Sequence, residues 1–479
     1  MKFLIVTDYL DFVGGGFEPL GVLSIAAVVQ QAGHEVRMVT DKYELCVGAI
    51  ESWNPEMVGY CIFTGYHKNL IELNRKLKEN FDFISVFGGP HATFFPEIID
   101  QHPSIDLVSR GESEWAILEM IERIEQRQDF SDVQNFWVRK NGEIFRNPVR
   151  PLEMDLDRIP FPAHDLFYQF PEARRGKIRV IMTARGCPYS CTYCYNYKMK
   201  ELYKDCGVNH LRHRSVDNTL EEIRYLKKNF PFDLVYFGTD CFTANKDWVY
   251  EFCEKYPREF DMKFTCASRP ETADPDIMKA LKEAGCFCIF MGLESGDDAF
   301  RKRMLNRRMA DERILQAAEN IHNAGLNLYT FNMMGLPGET LEQAYKTIDL
   351  NIRTKTDYTW VSTFQPYPRT KLTDYAIEKG YFNGDFDKVP MGWYGRSALN
   401  SPIKSELERL RTLASLMVEW PWLYRFRSRL VKLPLDGFYR FIWKIHKVYC
   451  YRYRVLPVKF SLKEIIQLGW NYLFDKTAE

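Results

Sequence analysis

Cys187, Cys191 and Cys194 stand at C-x3-C-x2-C spacing within R-V-I-M-T-A-R-G-C-P-Y-S-C-T-Y-C-Y-N-Y-K, the stretch from Arg179 to Lys198. Three soft thiolates this close suit an iron–sulfur cluster, and a four-iron cluster held by only three of them keeps one iron open to another ligand. A structural zinc site is the competing reading, but a closed zinc site wants a fourth protein ligand. The apolar run Val180 to Met182 before the cysteines predicts a strand that delivers them.

With Arg185-Gly186 ahead of the first cysteine and Tyr193 just before the last, the stretch resembles the signature of the radical S-adenosylmethionine (radical SAM) enzymes. The resemblance implies a [4Fe-4S] cluster on Cys187, Cys191 and Cys194, with Tyr193 in the cofactor site and the methionine part of SAM on the free iron. It implies one-electron cleavage of SAM to a 5'-deoxyadenosyl radical that takes hydrogen from substrate. An electron donor such as flavodoxin or ferredoxin is implied with it.

The elements that must position these groups occupy 479 residues, a length that predicts roughly three domains. Apolar residues make up 46% and charged residues 27%, the composition of an ordinary folded protein. Lys+Arg and Asp+Glu both number 64, and the balance argues against a general nucleic-acid binder. The 12 cysteines do not form a small secreted disulfide framework, and M-K-F-L-I-V-T-D at the start predicts a buried strand rather than a signal peptide. A cytoplasmic location is expected. The longest apolar runs, such as Cys286 to Leu293, fall short of the roughly 20 residues that span a bilayer, so no transmembrane helix is predicted.

Residues 1–146 alternate strand and helix, which predicts a mostly parallel doubly wound sheet with a crevice beyond the carboxyl ends of its strands. Gly14-Gly15-Gly16 and Gly88-Gly89, the latter in a G-G-P-H loop ending at His91, fall at those ends, where glycine lets a backbone approach a bulky ligand; ordinary turns use such strings too. No G-x-G-x-x-G follows the first strand, which disfavours a dinucleotide domain. P-L-G-V-L-S-I-A-A at Pro19 to Ala27, G-H-E-V at Gly33 to Val36, G-G-P-H and R-G-E-S-E at Arg110 to Glu114 resemble the cobalamin-binding domain that precedes many radical SAM domains. A D-x-H-x-x-G string, which carries the lower cobalt ligand in methionine synthase and its relatives, is missing. His34, His67 and His91 lie outside any such motif and are expected to be surface, packing or loop residues. The resemblance thus implies cobalamin bound with its lower cobalt face free of protein imidazole.

Residues 147–176, spaced by prolines, predict a linker. Residues 177–380 hold six strand–helix units, suggesting the partial (β/α)6 barrel of radical SAM proteins with its active groups at the carboxyl ends of the strands. Asp240, Arg269 and Glu294 fall there. G-L-E-S-G resembles the family string whose glutamate holds SAM, which implies that Glu294 contacts the SAM ribose or amino group, and Arg269 is a candidate for the SAM carboxylate. A structural hydrogen bond is the bland alternative for Glu294, whose predicted place is across the barrel from the cysteines. Asp240 serves SAM, serves substrate, or caps the next helix. Cys286-x-Cys288 alternates in an apolar strand and is expected to pack. Arg369, where relatives often have glycine, reaches toward substrate or faces solvent. The catalytic acid–base groups are not identified by the sequence.

Residues 381–479 predict a helical extension, including a helix from about Pro402 to Glu419. From Pro421 to Phe460 basic residues interleave with Trp, Phe and Tyr, and Asp436 is the only acid. Three readings stand: an amphipathic cover for the other domains, contact with the inner face of an anionic membrane, or, less in keeping with the balanced charge, RNA. A radical generator beside a cobalamin domain implies, through the resemblance, methyl transfer to an unactivated centre of a hydrophobic small molecule. Ring formation, ring contraction or oxidative cyclisation of a lipid or tetrapyrrole is the alternative.

Overall fold

The computed structural model describes residues 1–7, 18–207, 210–392 and 396–458. Gly14, Gly15 and Gly16 lie outside the described residues.

The first sheet runs through β1 (Lys2–Thr7), β2 (Glu35–Thr40), β3 (Met57–Cys61), β4 (Ile84–Gly88), β5 (Leu107–Ser109), β6 (Phe136–Lys140) and β7 (Glu143–Arg146) in the order β2-β1-β3-β4-β5-β6-β7. The first five are parallel, and β6 and β7 add an antiparallel edge that the alternation pattern did not announce. β1, β3 and β4 are near-continuous apolar runs because helices cover both faces. One face packs Phe3, Ile5, Met57 and Val86 into the main core; the other packs Leu4, Val6, Val58 and Phe87 with Leu70 and Leu77 of the helix His67–Lys78. Chain order reverses between β1 and β3, which puts the crevice of this sheet beyond their carboxyl ends.

The proline-spaced stretch crosses over as short helical turns. His164 within it is fully buried, its ring bridging Glu18 (Nδ1 to Oε2, 2.8 Å) and Glu222 (Nε2 to Oε1, 2.9 Å). One imidazole therefore joins the two domains.

The second sheet has β8 (Ile178–Ile181), then, past the two-residue pair β9 (Ala184–Arg185) and β10 (Arg212–His213), β11 (Leu234–Phe237), β12 (Lys263–Ser268), β13 (Cys286–Glu294), β14 (Asn327–Met334) and β15 (Tyr358–Thr363). Its six strands are all parallel, in the order β15-β14-β13-β12-β11-β8, and they curl into a partial barrel. Strand periodicity sorts the side chains: Val235, Phe237, Ile289, Met291 and Leu328 join the outer core, while Tyr236, Phe290, Tyr329, Phe331 and Trp360 form an aromatic inner wall. Cys286 and Cys288 pack in these two clusters.

The helix Lys404–Glu419 buries Leu407, Leu410, Leu413 and Met417 against Met334, Ile348 and Val361, covering the edge strand β15. Cys450, Tyr451 and Val455, from the end of the helix Asp436–Cys450 and the π-turn Tyr451–Val455, pack against Cys288, Tyr329 and Tyr358 near the amino-terminal ends of the strands. The tail thus closes the floor of the barrel. No helix among the described residues is long and apolar enough to cross a membrane.

Candidate functional site

The three cysteines lie on the loop that joins β9 to the helix Tyr195–Leu202. Gly186 at φ +87° opens it; a Cβ there would stand 2.3 Å from the His210 carbonyl oxygen, so only glycine permits this approach. Thr192 N–H donates to the Leu305 carbonyl (3.3 Å), Asn306 Nδ2 donates to the Ser190 carbonyl (2.8 Å), and the Thr192 carbonyl accepts from Leu372 N–H (3.1 Å). The loop is therefore held by the segments after β13 and β15.

All three thiols are free of disulfides. Cys191 is buried, with Arg269 Nη1 at 3.4 Å and Arg307 Nη1 at 3.9 Å from its sulfur. Asn196 Nδ2 is 3.8 Å from Cys194 Sγ. Lys200 donates to the Tyr189 carbonyl (2.8 Å); burial lowers its ammonium's pKa, and the three thiols together oppose that. Three sulfur donors at this spacing, with Arg269, Arg307 and Lys200 around them, fit a [4Fe-4S] cluster with one open iron, and the cations suit its negative charge.

Glu294 closes the same site. β13 is irregular between Gly292 and Glu294, and Glu294 sits at φ +71°, a conformation that costs about 1–3 kcal/mol for a non-glycine residue and clusters at functional sites. The turn folds its carboxylate back: Arg307 Nη1 lies 3.9 Å away, Tyr193 hydrogen-bonds it, and a Cβ on Gly292 would stand 2.7 Å from its Oε1. Burial raises its pKa, opposed by Arg307, Tyr193 and Arg269. The expected place across the barrel from the cysteines is thus corrected, because the cysteine loop reaches over the strand ends and brings Tyr193 alongside Glu294.

Arg269 is committed to Glu271 (Nη2 to Oε1, 2.7 Å) and to Cys191, and its guanidinium lies 3.7 Å from the centre of the Tyr189 ring. Asp240 stays open at the barrel mouth, where the walls around it raise its pKa and a hydrogen bond from Asn196 opposes the rise. Asn245, not Asp240, caps the following helix, Lys246–Glu259. Arg369 turns back at φ +62° and pairs with Glu97 of the first domain (2.7 Å). Its side chain is otherwise 57% exposed, so it faces solvent as one of the two expected readings had it.

In the first domain Gly89, at φ +95°, lets the turn after β4 close on β3; a Cβ there would meet the Ile62 carbonyl oxygen at 2.8 Å. A Cβ on Gly88 would meet only Ser109, at 3.8 Å, so space lies above it. His91 is not in a loop as expected but in the helix Pro90–Phe94. His34 sits at the other end of the sheet beside the Met1 amino group (3.3 Å), and His67 uses both nitrogens, on Gly65 N–H and Asp387. His91 is fully buried, its Nδ1 on Thr64 (2.9 Å) and its Nε2 without a partner. Space at a glycine edge beside an orphaned buried nitrogen fits a large polar-rimmed ligand such as cobalamin.

Two contacts bring this edge to the cysteine loop. Tyr195, next to Cys194, stacks on Phe94 (centroids 4.5 Å apart) and lies with its hydroxyl 3.5 Å from Thr64. Arg185 of the R-G-C string binds Glu112 (2.8 Å) and Glu114 (2.6 Å) of the R-G-E-S-E string. Sequence reasoning missed Arg307, Lys200 and Tyr195 as site residues. Arg307 and Lys200 carry no spacing signal, while Tyr195 stood beside the last cysteine.

The chain matches two family models, the B12 binding domain over residues 6–121 and the radical SAM superfamily over residues 181–350. It is 28% identical over 391 residues to an uncharacterized methyltransferase of Pyrococcus horikoshii, covering 79% of this chain and 83% of that protein. It is 27% identical over 301 residues to the anaerobic magnesium-protoporphyrin IX monomethyl ester cyclase of Synechocystis, covering 60% of this chain and 58% of that one. The fold is similar to that of the radical SAM methyltransferase TsrM from Kitasatospora setae with cobalamin and [4Fe-4S] cluster bound, at a TM-score of 0.65 and 15% identity over 79% of this chain and 75% of that one.

Proposed function

From a chain that fuses a cobalamin-binding domain to a radical SAM domain, and so is a cobalamin-dependent radical SAM enzyme acting on a small molecule, we propose methyl transfer to an unactivated centre of a hydrophobic substrate. The observation that carries this reading is the meeting of Tyr195, beside Cys194, with Phe94 and Thr64 at the glycine edge of the first domain, above a barrel with an aromatic inner wall. When bound, the cluster and SAM supply a hydrogen-abstracting radical, and cobalamin supplies a transferable methyl group.

The chain's own residues position and exclude. Cys187, Cys191 and Cys194 hold the cluster, Arg269, Arg307 and Lys200 balance its charge, and Glu294, with Tyr193 behind it, fixes SAM through its ribose or ammonium group. Asp240, at the mouth, faces SAM or substrate. Gly88 gives the corrin edge room, and Gly89 lets the turn beside it close on β3. Tyr236, Phe290, Phe331 and Trp360 offer an apolar wall to substrate, and the tail beneath them keeps water out of the floor.

The tail's outer face favours a substrate met at a membrane surface. Phe438, Phe441, Ile445 and Tyr449 follow one another at helical spacing and are 58%, 53%, 51% and 48% exposed, and Arg425, Arg429, Lys432 and Arg440 are exposed around them. An apolar stripe rimmed by cations suits the inner, anionic face of a membrane.

The test is anaerobic incubation of reconstituted enzyme with lipid and tetrapyrrole extracts and methyl-deuterated SAM, read by high-resolution mass spectrometry. A product carrying the intact labelled methyl is expected. An unlabelled cyclised or desaturated product would replace methyl transfer with ring formation, the activity named for the Synechocystis relative, and product from water-soluble extracts alone would remove the hydrophobic substrate.

A further inference from the structure

A second group of metal-ligating side chains lies in the tail, outside the site described above. Glu419 ends the helix Lys404–Glu419, and His446 and Cys450 stand one turn apart on the helix Asp436–Cys450. His446 Nε2 is 3.4 Å from Cys450 Sγ and 3.6 Å from Glu419 Oε2, and the three donor atoms lie within 4.8 Å of one another. Cys450 is fully buried and His446 nearly so.

Hydrogen bonding accounts for only part of this convergence: Arg454 and His446 both bond Glu419, and the Cys450 thiol is left to compete for the same His446 nitrogen. A neutral imidazole nitrogen carries either one proton or one lone pair. If Nε2 gives a proton to Glu419, it cannot also accept the Cys450 thiol proton; if it accepts that proton, the carboxylate faces its lone pair. The other ring nitrogen, Nδ1, is buried without a hydrogen-bond partner, so the polar contacts of the ring are all on the Nε2 side. A cation at the centre satisfies all three donors together.

The spacing suits one cation class. Zinc bound tetrahedrally, with Zn–S about 2.3 Å and Zn–N or Zn–O about 2.0–2.1 Å, places neighbouring S, N and O ligands about 3.3–3.6 Å apart. One thiolate, one imidazole and one carboxylate form the mixed donor set that zinc accepts. Arg454 donates to the same carboxylate (Nη1 to Oε2, 2.6 Å; Nη2 to Oε1, 3.1 Å), but each carboxylate oxygen offers two acceptor positions, so Oε2 keeps one for a metal.

We propose that Glu419, His446 and Cys450 supply three ligands of a zinc site that pins the tail to the barrel floor, with water, admitted past the partly exposed Glu419, as the fourth. Cys450 packs beneath Tyr329 and Tyr358, and the His446 ring lies 6.2 Å from that of Tyr358. Zinc here joins the end of one tail helix to the next and holds both under the inner wall. The site is separate from the cluster cysteines and takes no part in the radical chemistry.

Full-length protein, reconstituted with iron and sulfide and loaded with cobalamin, is given zinc chloride, gel-filtered and counted for zinc, iron and cobalt by mass spectrometry. About one zinc per chain is expected, held at least tenfold less tightly in H446A and in C450S with iron unchanged. The C187A/C191A/C194A variant should keep its zinc, and zinc-edge X-ray absorption should find one sulfur among nitrogen and oxygen neighbours. Zinc not retained, zinc retained equally by H446A and C450S, or a three-sulfur shell would overturn the proposal. The absorption measurement on unsubstituted protein decides even if those variants do not fold.

Discussion

Substituting His164 by Gln tests the joint between the two domains. His164 is wholly buried between Glu18 and Glu222; burial by itself would lower its pKa, but the two carboxylates raise it to about 9 from the ordinary 6.5. At about 1.4 kcal/mol per pH unit, that gap is worth about 3 kcal/mol of folding stability. Because the folded pKa is the higher one, the contribution is fully present below pH 6.5, declines between 6.5 and 9, and is gone above 9. Glu222 titrates outside this window: burial would raise its carboxyl, but Arg214 and then His164 hold it below its ordinary range. Buried thiols such as Cys46 weaken the fold at high pH in both proteins, so they cancel in the comparison. The assay is urea unfolding of the wild type and H164Q under argon at pH 6.0, 7.5 and 9.5. The stability gap between them should shrink by about 3 kcal/mol from the lowest pH to the highest. A gap that is the same at all three values would refute a protonated bridge between Glu18 and Glu222.

Alanine at Cys187, Cys191 or Cys194 should each remove the cluster, read as loss of iron, sulfide and the reduced-state paramagnetic signal; a variant keeping all three returns that thiol to packing. E294A should weaken SAM binding at least tenfold with iron content unchanged, since losing a charge-assisted contact costs about 1.5–3 kcal/mol; unchanged SAM affinity would leave Glu294 a structural role only. Cob(II)alamin bound to the protein should show no nitrogen splitting from a protein imidazole, because His34 is at the far end of the sheet, His67 is doubly bonded and His91 is buried. A splitting that vanishes in H91A would instead make His91 a cobalt ligand.

The cysteine spacing, the alternation of strand and helix, and the glycine strings were legible in the sequence because each is local: three thiols within eight residues can share a cluster, and period-two apolar runs can only be strands in a layered fold. The six barrel strands accordingly lie close to where periodicity put them. The antiparallel β6–β7 edge escaped because a short hairpin with one exposed strand carries little apolar pattern.

Tertiary structure decided everything that depends on distant segments meeting. Arg307 lies 116 residues from Cys191, and no spacing rule links them. Arg369 could not be assigned from its turn because its partner, Glu97, belongs to the other domain. Glu294 looked remote from the cysteines because strand order alone says so; the overreaching loop and the left-handed turn at Glu294 bring them together. The tail's composition fitted both a cover and a membrane face. Packing separates the two, since Tyr439, His446 and Cys450 turn inward while Phe438, Phe441 and Ile445 turn outward, and which side of an amphipathic helix meets protein is set by the surface it docks on.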